Sequence, residues 1–510
     1  MKTHCYSLLM AVALWSVACM SVQADVKLPA IISDNMVLQQ RTDVKIWGKA
    51  DPGENIIVTT SWSRKVRKTT ADTEGRWELA IPTPKSTSEP QTLTVRGRNT
   101  IEIGNILIGE VWICSGQSNM EFPVDVDKSS RWKTAMTTVK EELQNADYPA
   151  MRFFRVEHQL APDAPLDDCV GRWELCTPAT AAKFSAVGFV FGRKIHNETA
   201  MPVGMIQSTW GGTHAESWTK REAMQGKYYD DLHAEQRRIK AEEPAEKARY
   251  DREKQAYDEA KRINPDTTLK APRKAKKLND NLRMATLWNG MIAPILPYTI
   301  QGVIWYQGES NNSRSAHYQS VFTNLIESWR TEWGQGDFPF YFVQIAPYYK
   351  QLPLLREGQL RTMQTVKNCG MAVITDAGDS TDIHPRNKVI PGERLAAWAL
   401  AHEYDKDVPF MGPVYKKMKV EGDKAVLTFD YVGGGLESKG ASLKGFVIAG
   451  NDGLFYPATA VIEGDKVEVS APEVSAPVAV RYGWDKFFRV NLYNKEGFPA
   501  TPFRTDDWDK

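Results

Sequence analysis

Between residues 106 and 405 the sequence alternates short apolar runs with longer amphipathic ones, and this alternation restricts the possible folds more than any other feature. The apolar runs have the length of strands and lie at 107–114, 151–156, 203–207, 302–306, 340–345 and 371–375. Helix-like runs lie at 186–197, 318–333 and 393–404. Apolar strands that alternate with helices are typical of a parallel sheet covered on both faces. The sequence therefore predicts a three-layer α/β/α domain with a parallel sheet.

The regions on either side of this domain have the pattern of β structure, and a chain of 510 residues is long enough for several domains. Residues 44–50, 55–60 and 93–97 alternate apolar and polar side chains, with turn signals at 51–53 and 74–75. We predict a small N-terminal β-sandwich domain over 25–105. Strand-like segments return after residue 406, which predicts a C-terminal β domain over 406–510.

A charged segment interrupts the α/β domain at about 220–280. Residues 230–262 are dense in Lys, Arg, Glu, Asp and Ala, with one proline at Pro244. We interpret this segment as a solvated pair of helices joined near Glu243 and Pro244. A lid or an oligomer contact is the alternative. The solvated interpretation is favoured because the segment has little apolar surface to bury.

The N-terminus has the features of a signal peptide over residues 1–24. Lys2 and His4 precede an apolar run over 8–17, and Val22-Gln23-Ala24 provides a small-x-small cleavage site. The run is too short to span a bilayer. We therefore expect a periplasmic or secreted protein without stable membrane insertion, and we rank lipoprotein processing at Cys19 second. The formal net charge of +1 gives no basic field for nucleic acid.

Four of the six cysteines follow the predicted signal peptide. Cys169 and Cys176 are close enough in sequence to pair in an oxidising compartment. Cys114 and Cys369 lie at strand ends and are expected to be buried thiols. The sequence contains no C-x-x-C or H-E-x-x-H motif, and its histidines are scattered. A metal site is therefore not predicted.

Residues with possible catalytic chemistry follow the ends of the predicted strands. The apolar run 111–114 ends in Ser115-Gly-Gln-Ser118-Asn119, which places Ser118 at the carboxyl edge of a strand. Open α/β sheets bind substrates at that edge, and a histidine can activate a serine there. His384 lies in Asp382-Ile-His384-Pro385, late in the same region. Serine first, with acid and histidine late, is an order found in serine hydrolases. Taken alone, Ser118 would be a helix N-cap and His384 a loop residue fixed by backbone contacts.

Four motifs in order strengthen the catalytic interpretation: GQSNM at 116–120, WGGT at 210–213, WYQGES at 305–310 and DIHPRNK at 382–388. Together they resemble the sialate O-acetylesterase family of the GDSL/SGNH hydrolase superfamily. The resemblance covers nearly the whole mature chain, including the β regions. It implies the three-layer SGNH fold, an esterase activity on acetylated carbohydrate, and no cofactor.

This resemblance assigns Ser118 as the nucleophile and His384 as its general base. In the wider superfamily the acid lies three positions before the histidine, but that position is Thr381 here. Asp382 lies two positions before His384 and faces the same side of an extended backbone, so it is the preferred acid. Asp379 is the alternative, and a Ser–His dyad aided by a backbone carbonyl is a third arrangement.

Acyl transfer also requires hydrogen-bond donors for the oxyanion. The expected donors are the backbone N–H of Ser118, the pair Gly211 and Gly212, and the side-chain amide of Gln307. Glycine permits close approach of the backbone to a substrate, although a tight turn would explain one member of the pair. In the family that the chain resembles, glutamine replaces the superfamily asparagine at this position. Asn311 is a weaker candidate.

Other polar residues are expected to support the site. We assign a supporting role to Asn119, Glu309 and Arg386, together with Asn387. Arg386 has an alternative role, which is to bind a substrate carboxylate such as that of sialic acid. Most tryptophans are expected in the core, and Trp210 is the one expected to contact a sugar.

The predicted function is that of a secreted O-acetylesterase acting on an acetylated carbohydrate, either sialic acid or a plant glycan such as xylan. Two alternatives remain open. A non-catalytic carbohydrate-binding protein would also suit the β regions and tryptophans, but not the complete set Ser118, Gln307 and His384. A lipase or thioesterase would need an apolar acyl groove, for which the sequence gives no sign.

Overall fold

The computed structural model describes residues 25–125, 140–141, 143–273 and 279–508. The predicted signal peptide, residues 1–24, and the alternative lipid-attachment residue Cys19 lie outside these ranges. Within them, no helix combines the length and the apolar character needed to cross a membrane.

A central sheet organises the middle of the chain. Its strands lie in the spatial order Cys369–Ala372, Phe340–Val343, Gly302–Tyr306, Thr100–Gly116, Val203–Thr209, Tyr148–Arg155 and Trp173–Cys176. Neighbouring strands are parallel, except that Trp173–Cys176 pairs antiparallel at one edge. The predicted α/β class with a mostly parallel sheet is therefore confirmed. The strands are almost wholly buried, as expected for a sheet covered on both faces.

Helices follow the strands of this sheet. Among the described residues, and apart from the long charged helix treated below, the α-helices are Ser118–Glu121, Pro178–Lys183, Ala186–Thr199, Tyr318–Trp333, Pro353–Thr365 and Val389–Glu403. Shorter 3-10 or π segments lie at Ala215–Trp218, Arg221–Ala223, Asp280–Leu282, Trp288–Ile292, Ala293–Ile295 and Glu309–His317. Their ends follow local rules: the Ser185 side chain caps the helix that begins at Ala186, and Gly334 ends another at φ 65°.

The N-terminal region contains the strands Val37–Gln39, Asp43–Lys49, Asn55–Thr60, Ser63–Thr70, Arg76–Pro82 and Thr87–Arg96. It shares one strand with the central sheet. Thr100–Gly116 is 17 residues long, and its first part pairs antiparallel with Thr87–Arg96. Its second part is the middle strand of the parallel sheet. The expected boundary near residue 105 therefore falls inside a continuous strand.

The charged segment forms one helix of 37 residues, Lys227–Ile263, with Pro244 inside it. The prediction of two helices joined near Glu243 and Pro244 was therefore wrong. Proline removes a single backbone donor, and many side-chain pairs of opposite charge lie three or four residues apart along the helix. These include Lys227–Asp231, Lys247–Asp251 and Lys254–Asp258. The residues it buries are Tyr229, Leu232 and Ile239, all in the first half.

The C-terminal region is antiparallel β structure around a second hydrophobic core. Its strands are Val414–Glu421, Lys424–Asp430, Leu436–Ser438, Phe446–Ala449, Phe455–Pro457, Thr459–Glu463, Lys466–Ser470, Ala479–Tyr482, Leu492–Asn494 and Phe503–Arg504.

The described cysteines are all free thiols, so Cys169 and Cys176 are not joined in this structure. Cys114 is fully buried, as expected, while Cys369 is half-buried at the start of a strand.

Candidate active site

Ser118 lies at the carboxyl end of the middle strand of the parallel sheet. The strand ends at Gly116, whose φ is +132°, and a Cβ there would collide with the carbonyl oxygen of Tyr306. Glycine therefore permits close approach between the two neighbouring strands. Gln117 donates its N–H to that carbonyl (3.0 Å) and is the N-cap of the short helix that Ser118 begins. Ser118 is thus not the cap itself.

Ser118, His384 and Asp382 come together although the serine is far from the other two in sequence. His384 Nε2 lies 3.0 Å from Ser118 Oγ. On the other side of the ring, Nδ1 lies 3.5 Å from Asp382 Oδ1, an oxygen that also accepts the His384 backbone N–H at 2.9 Å. The first distance is that of a hydrogen bond, whereas the second is longer than an ideal one. Such contacts often tighten only when substrate binds.

Asp379, the alternative acid, turns into its own loop. One of its carboxylate oxygens accepts hydrogen bonds from the backbone N–H and hydroxyl of Thr381 and from the backbone N–H of Asp382. These bonds, led by the Thr381 N–H, lower the pKa of Asp379. The geometry therefore favours Asp382 as the neighbour of His384 and gives Asp379 the role of shaping the loop.

The expected oxyanion donors differ in availability. The Gly211 N–H donates to Glu121 Oε2 at 2.6 Å and is already engaged. Gly212 is exposed, with φ +76° and open space around its Cα. Within the described residues, no acceptor lies in hydrogen-bond range of the N–H groups of Ser118 and Gly212. These two groups are the donors that the structure leaves open.

Gln307 is completely buried and its amide group is engaged. Its Nε2 donates to Asn311 Oδ1 at 2.7 Å and to the Thr213 carbonyl at 3.1 Å, and its Oε1 accepts the Tyr318 hydroxyl at 2.9 Å. Both amide hydrogens therefore have protein acceptors. The expected role of Gln307 in the oxyanion hole is not supported, and the alternative Asn311 is engaged in the same network. Side-chain direction at a strand end could not be read from the sequence.

Asn119, which directly follows Ser118, and Glu309 are both buried and are joined by a hydrogen bond. Asn119 Nδ2 donates to Glu309 Oε1 at 2.6 Å and to the Ile383 carbonyl at 3.1 Å. Burial raises the pKa of Glu309. Lys388 donates to Asn119 Oδ1 at 2.5 Å. Lys388 was not predicted from the sequence, although it belongs to the DIHPRNK motif and is four residues after His384.

Arg386 and Asn387 do not join this group. The Arg386 side chain is exposed, on the side of the loop that carries Asp379. Asn387 Oδ1 accepts the backbone N–H groups of Val389 and Ile390 at the start of the last helix of the domain. Asn387 therefore pairs backbone donors at the start of this helix, and the supporting role of Arg386 stays a prediction.

An aromatic pair contacts Glu121, the last residue of the short helix that Ser118 begins. The rings of His158 and Trp210 stack at 4.0 Å with 7° between their planes. His158 Nε2 contacts the Thr209 carbonyl at 2.9 Å and Glu121 Oε1 at 3.1 Å. A cavity of about 370 Å³ opens here, and its lining includes Glu121, Arg155, His158, Lys183 and Thr209. No motif or spacing in the sequence indicated His158. The described parts of the chain hold no cluster of three or more side chains suited to a metal ion.

Several known proteins are similar to this chain in sequence, and one of them also in fold. A family model described as "Carbohydrate esterase, sialic acid-specific acetylesterase" matches residues 108–247 and 277–401. The unmatched gap falls in the second half of the charged helix and the segment after it. A carbohydrate acetylesterase from Xanthomonas citri superposes with a TM-score of 0.78 and 32% identity, covering 95% of this chain and 100% of the other.

Mammalian relatives align over a similar extent. Mouse sialate O-acetylesterase is 29% identical over 443 residues, which is 78% of this chain and 78% of the mouse protein. The human enzyme is 28% identical over 444 residues, covering 78% of this chain and 75% of its own. The matched region and its fold define a carbohydrate esterase. Within that class, the chain belongs to the sialic acid-specific acetylesterase family.

Proposed function

We propose that this protein is a carbohydrate O-acetylesterase that hydrolyses acetyl esters on sugar hydroxyls through an acyl-enzyme on Ser118. The observation that carries the proposal is the 3.0 Å contact between Ser118 Oγ and His384 Nε2 at the carboxyl edge of the sheet. A serine hydroxyl is a weak nucleophile at neutral pH and needs a base at this distance. Family membership supports the same reaction class.

In the proposed mechanism, Ser118 Oγ attacks the acetyl carbonyl carbon while His384 Nε2 takes the hydroxyl proton. Asp382 orients the ring and stabilises the imidazolium. The N–H groups of Ser118 and Gly212 stabilise the oxyanion. As the tetrahedral intermediate collapses, the ester C–O bond breaks and His384 returns the proton to the sugar oxygen. A water molecule, deprotonated by His384, then attacks the acetyl-serine, releases acetate and restores the serine.

The acetylated sugar is proposed to lie over the His158–Trp210 pair. Sugar rings pack their C–H faces on aromatic planes. The pair is joined to the segment that carries Ser118 through Glu121, which ends the short helix that Ser118 begins and contacts His158 at 3.1 Å. The candidate substrates are O-acetylated sialic acids and acetylated plant glycans such as xylan. The names of the mammalian relatives favour sialic acid.

We also propose a three-layer SGNH arrangement over 106–405, with β domains over 25–105 and 406–510. Export of the protein is proposed to be directed by residues 1–24. Support for the layering comes from the buried parallel sheet and from the helices that pack against its strands.

Acetate release from a panel of O-acetylated sialosides and acetylated xylo-oligosaccharides tests this function. Ser118→Ala is expected to abolish release while keeping the fold. Ser115→Ala is the matched control, because Ser115 is also buried and lies three residues earlier, where it donates to the Ser208 carbonyl. Release by Ser118→Ala at the wild-type rate would refute the mechanism. Binding of the sugars without release by the wild-type protein would indicate a carbohydrate-binding protein instead.

A further inference from the structure

Lys388 is a fully buried cation that the serine–histidine pair does not use. Burial is the main reason that its pKa falls to about 7, while the opposing charges of Glu309 and Asp382 act to raise it. Placing an ammonium group out of water costs several kcal/mol unless its hydrogen bonds compensate. A buried lysine under an enzyme site therefore requires an explanation.

Its surroundings are specific. Lys388 Nζ donates to Asn119 Oδ1 at 2.5 Å and lies 5.3 Å from the centre of the Phe122 ring and 5.6 Å from that of Tyr306. Both rings present their faces to a cation, which partly offsets the lost hydration. Among the described residues, Glu309 and Asp382 are the charged groups that act on it, and Tyr306 is a titratable side chain in contact with it.

This bond determines which way the Asn119 amide points. With Oδ1 directed at Lys388, Nδ2 points to Glu309 Oε1 and to the carbonyl oxygen of Ile383. The Lys388 ammonium group can only donate, so a flipped amide would set Nδ2 against its N–H groups and lose this bond. The flip would also set Oδ1 against the carbonyl oxygen of Ile383. Lys388 thus favours one amide orientation over the other.

The orientation of the Asn119 amide matters because the two residues that it joins are next in sequence to Ser118 and His384. Asn119 directly follows Ser118, and Ile383 directly precedes His384. The Asn119–Ile383 hydrogen bond therefore connects the two backbone segments that carry the nucleophile and its base. Those segments are otherwise far apart in sequence, and Ser118 Oγ and His384 Nε2 must stay within hydrogen-bond distance for catalysis.

We propose that Lys388 is a positioning residue that acts through Asn119 to keep His384 within hydrogen-bond reach of Ser118. This inference rests on the proposed esterase function. It assigns Lys388 no proton transfer and no contact with substrate. Its effect should therefore appear in kcat and in the reactivity of Ser118, with KM nearly unchanged.

The test measures the labelling of Ser118 by a fluorophosphonate, together with acetate release, in wild type, Lys388→Met, Asn119→Ala and the double variant. In labelling, Ser118 Oγ bonds to phosphorus, fluoride leaves and His384 takes the serine proton. Lys388→Met should slow labelling and lower kcat by about tenfold or more, with KM close to that of wild type. If Lys388 acts through Asn119, adding Lys388→Met to Asn119→Ala should cost little more. Multiplicative losses in the double variant would overturn the proposal.

Arg356→Met controls for the general cost of losing a buried cation. Arg356 is 1% exposed, lies over the Phe488 ring and donates to the Asp485 carbonyl. The Arg356→Met substitution should lower the melting temperature and leave the kcat of the folded protein near the wild-type value. If Lys388→Met behaves in the same way, the positioning role is wrong.

A second variant covers the case in which Lys388→Met does not fold. Asn119→Asp retains an acceptor for Lys388 but removes the donor to Ile383, so folded Asn119→Asp should also label slowly. Normal labelling by this variant would contradict the inference. Failure of wild type to label and to release acetate would instead refute the esterase function itself, so the two failures are distinguishable.

Discussion

The carboxylate of Glu121 accepts the backbone N–H of Gly211 at 2.6 Å, on the turn that also carries Gly212. The same carboxylate contacts His158 through its other oxygen at 3.1 Å. One side chain, at the end of the helix that begins with Ser118, therefore fixes both the glycine turn and the aromatic pair. Glu121 therefore occupies the N–H of Gly211, one of the expected oxyanion donors, and by doing so fixes the turn that carries the N–H of Gly212.

Glu121→Ala should lower kcat because the turn bearing Gly212 loses its anchor. A hydrogen bond to a charged group is worth about 1.5–3 kcal/mol, so a loss of roughly tenfold to a hundredfold is expected. Glu121→Gln is the matched control, since its amide oxygen can still accept from Gly211. Steady-state kinetics on one acetylated sugar measure both. Equal kcat values for the alanine and glutamine variants would contradict this role.

Asp382→Asn should reduce kcat strongly because the imidazolium of His384 loses its support. The corresponding change in a well-studied serine protease costs about 10⁴ in kcat. Asp379→Asn is the comparison variant, and we expect a small effect because an amide oxygen still accepts from Thr381. Single-turnover acylation rates distinguish the two. A larger loss for Asp379→Asn would move the acid assignment to that residue.

Gln307→Leu should lower the melting temperature and leave the kcat of the folded protein near normal. Its buried amide contacts Thr213, Asn311 and Tyr318, and each buried polar group left without a partner costs about 1–3 kcal/mol. Gln335→Leu, an exposed glutamine that bonds the Ile300 backbone, is the control. Thermal unfolding and kcat are measured together. A hundredfold lower kcat at an unchanged melting temperature would restore Gln307 to the oxyanion hole.

Lys388 predicts a pH dependence of stability. Its pKa is about 7 in the folded protein and close to its ordinary value of 10.5 when unfolded. Between these values the unfolded chain binds more protons, so the contribution of Lys388 to the free energy of unfolding rises with pH from about 7 upward. Urea unfolding of wild type and Lys388→Met at pH 7 and pH 9 tests this. The stability gained on going to pH 9 should be larger for wild type, and equal gains would contradict burial of the ammonium group.

Pro244→Ala should strengthen the long charged helix without changing catalysis. Proline in a helix interior costs about 3 kcal/mol relative to alanine, and Pro244 is exposed. Amide hydrogen exchange over Lys227–Ile263 should slow, whereas Ala245→Gly should accelerate it. Unchanged exchange in Pro244→Ala would contradict a single helix that the proline weakens.

The sequence was most informative where a residue's role follows from its place at a strand end. Ser118 lies two residues past the end of an apolar strand, and Asp382 and His384 lie two residues apart in a short motif, so their meeting at one sheet edge could be expected. The direction of a side chain is a different matter. Gln307 also follows a strand, but its amide turns inward because buried acceptors on other segments are available to it.

Tertiary contacts explain what else the sequence did not reveal. Lys388 and His158 acquire their surroundings from distant segments of the chain, and nothing in the residues next to either of them indicates burial. Pro244 led to the wrong prediction of a break between two helices. Dense opposite charges at helical spacing outweighed the single lost backbone bond.

The strand Thr100–Gly116 has a consequence for how the molecule can be divided. A cut at the apparent border between the N-terminal and central regions would sever the strand whose far end presents Ser118, and would strip its near half of hydrogen-bond partners. The N-terminal region is therefore not an exchangeable module. Grafting it onto another esterase, or deleting it, should disturb the position of Ser118 directly, and heating should melt both regions in one transition.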